Sequence, residues 1–313
     1  MGPEGSEVEE DWVASSPNVA AADGVSIRAR RSRNAGRLRW LIVAPFLAYV
    51  SAFLLIPTGE VVLQAFRNDS GSFSLSGMHE LTRPETVSAF EQTIKLSLIT
   101  AVAGGLIGLF VAQATLRRGI PAWLRPVLTT FSGVASNFAG VPLAFAFIAT
   151  LGSTGVVTAL FKHLGVDLYS HGFTIYGLLG LSLTYIYFQF PLMILIILPA
   201  LEGVRREWRE AATSVGATPR QFWRYVGLPL LLPSLLGAVV LLFGNAFSAY
   251  ATPYALSSGY INLVPVLIGE FLNGDLASEP QLGSALAFGM IVVIGIAVAI
   301  YALLQRRTAR WLR

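Results

Sequence analysis

The sequence predicts an all-α membrane protein with six transmembrane helices. Of its 313 residues, 54% are hydrophobic and only 13% are charged, and the mean hydropathy is +0.63. Soluble domains carry about 25% charged residues. A chain with so few charges cannot cover its surface with polar side chains, so we expect lipid to surround most of it.

Six apolar stretches are long enough to cross a bilayer as helices, which takes roughly 20 residues. The only charged residues within them are Arg39 and Lys95, each near one end of its stretch. We expect the spans at about 38–57, 93–114, 126–152, 174–198, 229–252 and 283–304.

The distribution of arginine predicts the orientation of these spans. Basic residues cluster before the first span and after the second, fourth and sixth, and loops of this kind stay in the cytoplasm. Both termini are therefore predicted to be cytoplasmic, with external loops at 58–92, 153–173 and 253–282. The external side receives few of the 22 basic residues, namely Arg67, Arg83, Lys95 and Lys162.

The remaining segments divide the chain into three predicted parts. Residues 1–36 form a cytoplasmic tail that is acidic and expected to be disordered at its start and basic near the first span. Residues 37–305 form the membrane domain, and 306–313 a basic C-terminus. A cleaved signal peptide is the alternative for the first span, but its apolar stretch is too long and no small-residue cleavage site follows. Val264–Leu272 is too short to span and is predicted to be re-entrant or interfacial.

Several chemistries are excluded by missing residues. There is no cysteine, so disulfides, thiolate metal sites and cysteine nucleophiles are ruled out. With Lys95 and Lys162 as the only lysines, a phosphate-binding G-x4-G-K-[ST] loop is impossible. Since the basic residues flank apolar segments instead of forming a patch, nucleic acid is not an expected partner.

The cytoplasmic loop at 201–228 differs from the other loops because it predicts a helix–turn–helix. Glu202 and Arg206, and then Arg206 and Glu210, are spaced i,i+4 and can support a helix. Gly216 is a suitable residue to end that helix. Thr218 followed by Pro219 suits the N-cap and first position of a second helix, which would continue into the fifth span.

This loop resembles the EAA loop of the permeases of ATP-binding cassette importers. The family pattern is EAA-x3-G-x9-I-x-LP, and the only departure is valine in place of isoleucine. In that family the loop forms a coupling helix, which sits in a groove of the ATP-binding subunit. The matching residues are Glu210, Ala211, Ala212, Gly216, Val226, Leu228 and Pro229.

The resemblance implies a type I importer permease with a MetI-like core at about 90–305 and an extra N-terminal helix, in a bacterial inner membrane. It implies four kinds of partner: two ATPase subunits that bind ATP and Mg, a second permease, an extracytoplasmic substrate-binding protein, and membrane lipid. The second permease is expected to be a paralogue rather than a second copy. No catalytic residue, cofactor or metal is expected in this chain. The stretches 137–152, 199–218 and 245–259 are similar to spermidine/putrescine-type permeases, so the expected solute is a polyamine or similar small molecule.

Polar residues inside the spans are candidates for the translocation path. They could line an aqueous path between subunits, or they could form hydrogen bonds between helices, which are typically worth about 0.6 kcal/mol. The sequence leaves both roles open for Ser136, Asn137, Tyr185, Gln189, Asn245, Ser248 and Tyr250.

Three alternatives also stay open. Permeases of the same family for iron, thiamine, sulfate or phosphonate share much of this sequence character. A secondary carrier or channel working without ATP is disfavoured because the spans carry no buried acidic, arginine or histidine residue, although carbonyl and hydroxyl oxygens can hold sodium. A membrane scaffold would dock a partner through the loop and move no solute.

Overall fold

The computed structural model describes residues 43–67, 71–116, 119–257, 261–272 and 280–309. Within these ranges the regular structure is helical, apart from one isolated bridge between Arg67 and Phe73. The predicted tail at 1–36 lies outside the described residues. The chain divides into two compact units, Met1–Glu60 and Val61–Arg313.

Six helical stretches are long and apolar enough to cross a membrane, which confirms the predicted fold class. We number the helices of the described residues in chain order. They are α1 Val43–Gln64, α2 Ser76–Glu80, α3 Pro84–Thr115, α4 Leu124–Asn137, α5 Val141–Leu151, α6 Val156–His163, α7 Leu178–Glu202, α8 Arg206–Ser214, α9 Pro219–Phe247, α10 Ala251–Ser257, α11 Val264–Leu272 and α12 Pro280–Ala309.

Several spans extend beyond their predicted ends, α1 and α3 among them. α1 continues past Pro57 to Gln64 because a wider π-helical turn, Ser51–Leu55, precedes the proline and adjusts the hydrogen-bond register around it. α3 begins at Pro84, so nine residues expected in an external loop are helical. Proline suits the first turn of a helix because its missing N–H would have no partner there.

The third predicted span, 126–152, is wrong as a single helix. It is divided into α4 and α5 by three residues, of which Gly140 has φ +76° and ψ −147°. This conformation is open to glycine and is strained for other residues. Pro142 follows at once and favours a new helix start.

The fifth predicted span, 229–252, is also interrupted. α9 ends at Phe247, three residues follow outside helix, and α10 begins at Ala251. At its other end α9 begins at Pro219, as predicted for the second helix of the cytoplasmic loop, and passes through a π-helical turn, Trp223–Gly227, before Leu228. This second helix of the loop and the fifth span are thus one uninterrupted helix.

The core lies where α3, α7 and α9 pack together. A Cβ on Gly108 would lie 2.5 Å from the Phe190 carbonyl oxygen, and a Cβ on Gly104 would lie 2.6 Å from the Gln189 Cβ. These glycines allow the backbones of α3 and α7 to approach closely, as small residues do between membrane helices.

Candidate functional site

The cytoplasmic loop forms the predicted helix–turn–helix. α8 starts after the extended residue Arg205, and Arg206 Nε donates to Glu210 Oε1 at 2.8 Å. The other predicted ion pair is wrong: Glu202 ends α7 instead of continuing into α8, and its carboxylate pairs with Arg125 at the start of α4.

The turn after α8 is closed by backbone hydrogen bonds at both of its ends. Gly216 has φ +80°, and the N–H groups of Gly216 and Ala217 donate to the carbonyls of Thr213 and Ala212 at 2.9 and 3.0 Å. This is the Schellman motif, which satisfies carbonyls that a helix end leaves free. Thr218 and Gln221 then form a capping box, which confirms the predicted end and N-cap.

Cation–π contacts hold α8 against the start of α9. The Arg209 guanidinium lies 5.6 Å from the Phe222 ring centroid and 5.9 Å from that of Trp223, while Phe222 is buried. The Trp223 ring in turn packs on Gly227, where a Cβ would lie 2.5 Å from it. The two short helices therefore form one unit that continues directly into the fifth span.

An apolar face of α8 and its C-cap is left uncovered. Trp208, Ala211, Ala212 and Val215 follow the i, i+3, i+4, i+7 spacing of one helix face. Trp208 is 40% exposed and Val215 is 83% exposed, and no residue of α8 is buried. We call these four residues the α8 apolar face. The remaining motif residues Val226 and Leu228 are exposed and Pro229 is half-buried.

The interruptions of the third and fifth crossings lie next to each other, and together they form a second candidate region. The Gly140 N–H donates to Thr252 Oγ1 at 2.8 Å, and the Tyr185 hydroxyl donates to the Ala249 carbonyl at 3.5 Å. Irregular backbone at membrane depth must find partners because lipid provides none. We call this place, residues 138–140 with 248–252, the break junction.

The predicted path residues separate into buried and exposed groups. Tyr185 and Gln189 are 1% and 0% exposed, and Gln189 Nε2 donates to the Leu242 carbonyl at 2.8 Å; these positions favour the interhelical role. Asn137, Asn245 and Ser248 are exposed next to the break junction.

The other two candidates are half-buried. Ser136 donates to the Gly133 carbonyl at 3.3 Å. The Tyr250 ring stacks with that of Tyr254 at 5.2 Å between centroids and packs on Gly269. Both make contacts within the chain, and their role in a path stays a prediction.

Features that the sequence did not indicate include Gly140, Thr252 and the pairing of Arg125 with Glu202. Gly140 and Pro142 together were an available signal, since they are a helix breaker followed by a helix starter. Thr252 and the ion-pair partners are distant in sequence, and no local pattern joins them. Among the described residues, no group of three acidic or histidine residues could hold a metal ion.

Replacing Gln189 by methionine is expected to change stability by no more than about 1 kcal/mol and to leave uptake intact. The variant loses one interhelical hydrogen bond, but it also removes the amide oxygen Oε1, which is buried without a hydrogen-bond partner. Thermal unfolding in detergent and solute uptake in vesicles check this. A large loss of uptake with unchanged stability would instead show that Gln189 contacts solute.

Comparison with known families gives one match that spans most of the chain. Residues 87–310 match the family described as binding-protein-dependent transport system inner membrane component. Three similar proteins are permeases of sulfate or thiamine transport systems. The sulfate transport system permease protein CysT of Salmonella typhimurium is 26% identical over 65% of this chain and 69% of that protein, and CysW of Synechococcus elongatus is 24% identical over 84% of this chain and 88% of that protein. The thiamine transport system permease protein ThiP of Escherichia coli is 26% identical over 52% of this chain and 30% of that protein.

Solved structures are similar in fold. A chain of a bacterial ABC transporter that imports the acidic polysaccharide alginate superposes with a TM-score of 0.68 at 17% identity, covering 90% of this chain and 99% of that one. The same transporter in complex with a pentasaccharide-bound periplasmic protein gives 0.67 at 18% identity, covering 88% and 96%.

Proposed function

Since the chain belongs to the binding-protein-dependent transport system inner membrane components, we propose that α8 transmits ATP-driven movement from a partner ATPase to a solute path. The chain is a multi-pass permease subunit of an ATP-binding cassette importer. The expected orientation places both termini and α8 in the cytoplasm. ATP and Mg are then bound by the ATPase subunits, and this chain holds no cofactor.

The observation that carries the proposal is the α8 apolar face. An uncovered tryptophan and valine beside two alanines, on a helix with charged residues around it, are typical of a helix that docks in a groove. The alanines permit close approach of another backbone, and the tryptophan supplies apolar area to bury. Arg205 precedes this face and suits an acidic rim on the ATPase, while Arg206 and Arg209 are held within the loop by Glu210 and by the Phe222 and Trp223 rings.

The rigidity of the loop supports the same role. The Schellman motif, the capping box and the stacking of Arg209 fix the angle between α8 and α9. Because α9 runs without a break from Pro219 to Phe247, a displacement of α8 is carried to the break junction. Packed helices shift as rigid bodies of this kind in many switching proteins.

The exposed amides indicate where the path lies. Asn137 Nδ2 donates to the Gly133 carbonyl at 2.8 Å, but exposed amides such as those of Asn137 and Asn245 still suit lipid poorly, because amide groups left without partners in hydrocarbon cost several kcal/mol. We propose that water and a second permease cover this surface, and that Ser136, Ser248 and Tyr250 belong to the same path. One motif per chain calls for two permeases and two ATPases, with an external substrate-binding protein delivering the solute. The names CysT and CysW favour a pair of different permeases.

Sulfate is the solute we propose to test first, followed by thiamine. The relatives compared above are named for these two solutes, and the predicted likeness to polyamine permeases gains no support from them. The external binding protein, once recovered, can be screened by calorimetry with sulfate, thiamine, spermidine and phosphonates. Binding of spermidine alone would restore the polyamine prediction.

Replacing Val215 by glutamate is expected to remove most of the ATPase from the purified assembly. The side chain is 83% exposed, so the change costs little folding energy, but it places a charge in the docked apolar contact. The measurement is the amount of ATPase recovered with the tagged chain from membranes in mild detergent. Val166→Glu is the control, since Val166 is exposed on the predicted external side.

The outcomes separate the hypotheses. Loss of ATPase with Val215→Glu and retention with Val166→Glu support the docking role. Recovery of the unsubstituted chain without any nucleotide-binding partner, together with uptake, would favour an autonomous carrier. Recovery of partners without any solute movement would favour a scaffold.

A further inference from the structure

We assign α4 and α5 to the third crossing because Arg125, at the start of α4, lies beside Glu202, at the predicted cytoplasmic end of α7; the apolar stretch Val141–His163 continues beyond α5 into α6. α4 has 14 residues and α5 has 11, and at 1.5 Å per residue they sum to about 37 Å, roughly one bilayer. Their junction at 138–140 therefore lies at membrane depth. The two halves are attached to different neighbours.

The inner half, α4, is attached to α7 and to the base of α8. α4 packs along α7 over much of its length. Arg125, the second residue of α4, pairs with Glu202, the last residue of α7. α8 begins four residues after this ion pair, at Arg206, so the charges join α4 to the helix that is proposed to dock the ATPase.

The outer half, α5, is attached to α10. α5 packs mainly against α10; it also contacts α7 through side chains, with the Phe147 ring 5.9 Å from the Tyr187 ring between centroids and Leu143 in the same buried cluster as Tyr185. In a continuous helix the Gly140 N–H would donate to the carbonyl of Ser136, four residues earlier. Here it donates to Thr252 Oγ1 at 2.8 Å, and Thr252 is buried. A side chain of the fifth crossing thus completes the hydrogen bonding of the third.

The junction itself has the features of a hinge. Gly140 has φ +76°, and a Cβ there would lie 3.6 Å from the Ala251 Cβ, so the position has room but favours glycine. Hinges are a few residues at element ends that absorb backbone rotation.

We propose that residues 138–140 form a hinge that divides the third crossing, with Arg125 and Thr252 as positioning residues for transport. Arg125 makes α4 follow α8, and Thr252 makes α5 follow α10. A shift of α8 then bends the third crossing beside Asn137 and changes the width of the path. This inference rests on the proposed coupling role of α8.

Spin-label distances in the assembled transporter test the hinge. The chain has no cysteine, so introduced pairs are its only labelling sites when the partner subunits are also cysteine-free. The pairs are Val127→Cys with Leu183→Cys, joining α4 to α7, and Phe145→Cys with Leu183→Cys, joining α5 to α7; all three positions are exposed. Distances are measured by electron–electron double resonance in nanodiscs, without nucleotide and with a non-hydrolysable ATP analogue.

We expect the α4–α7 distance to stay constant and the α5–α7 distance to change by at least about 2 Å, the size of helix shifts in switching proteins. In an assembly that hydrolyses ATP and transports, equal changes in both distances, or none in either, would overturn the hinge. An assembly with no ATPase and no response to nucleotide would overturn the proposed function itself, and the hinge with it.

Two sets of substitutions test the positioning residues separately. Thr252→Val keeps the shape but removes the acceptor for Gly140, and we expect uptake to be lost while ATP hydrolysis continues and the α5–α7 distances broaden. Arg125→Glu and Glu202→Arg should each broaden the α4–α7 distances, and the double exchange should restore both the distances and uptake. Unchanged distances in the single variants would contradict the assigned roles.

Discussion

Replacing Gly216 by valine is expected to remove most solute uptake while the chain stays folded and inserted. The residue has φ +80° with no atom within 4 Å of the position of a Cβ, so the penalty is purely one of backbone conformation. A β-branched residue held there costs about 1–3 kcal/mol, and relief of that strain would change the angle between α8 and α9. A misdirected α8 is expected to lower uptake roughly tenfold or more, since about 1.4 kcal/mol in a barrier is tenfold in rate.

The measurement is uptake together with ATP hydrolysis stimulated by the external binding protein, both in proteoliposomes. Gly165→Val is a matched control, because Gly165 has φ +85°, open space around it and the same pair of Schellman hydrogen bonds, at the end of α6. We expect the control to carry the same strain with little loss of uptake. Normal uptake and normal stimulated hydrolysis in Gly216→Val would refute the coupling role.

Replacing Gly108 by alanine is expected to cause a large loss of stability for a single added methyl group. The new Cβ would lie 2.5 Å from the Phe190 carbonyl oxygen and 2.6 Å from the Met193 Cβ. Both are parts of α7 close to its backbone and cannot rotate away, so α3 and α7 must separate. Overpacking of this kind costs about 1–3 kcal/mol and occasionally more. The measurements are thermal unfolding in detergent and the yield of monodisperse protein.

Gly105→Ala is the control on the same helix. Its Cβ would meet only Leu242 Cδ1, at 3.5 Å, which is ordinary van der Waals contact. Alanine is a better helix former than glycine by up to about 1 kcal/mol, so this variant should be as stable as the parent or slightly more so. Equal destabilisation by both substitutions would show that the close approach of α3 and α7 does not determine stability.

The local architecture of α8 and its turn could be predicted from the sequence because every signal lies within a few residues. The end at Gly216 and the cap at Thr218 depend on backbone conformation and on hydrogen bonds across three positions. The number and type of spans followed from apolar length for the same reason. The role of the loop in docking an ATPase stays a prediction that the experiments above address.

The interruptions of the third and fifth crossings could not be predicted in the same way. A hydropathy pattern records which residues avoid water and does not distinguish a continuous helix from two helices in line. The break at 138–140 is tolerated because Thr252, more than a hundred positions away, accepts the hydrogen bond of Gly140. Buried Gln189 and exposed Asn137 are likewise alike in sequence, and only packing separates them.

The sequence by itself determined that this chain is a helical membrane protein, how many times it crosses, and where its exposed helix–turn–helix begins and ends. These properties depend on transfer from water and on local hydrogen bonds, which neighbouring residues decide. The tertiary structure decided where the crossings break, that Glu202 pairs with Arg125 instead of Arg206, and which polar residues remain accessible. Those properties depend on partners that are distant in the chain. Lipid offers no water to replace a missing hydrogen bond, so a helix can be interrupted only where such a partner supplies that bond.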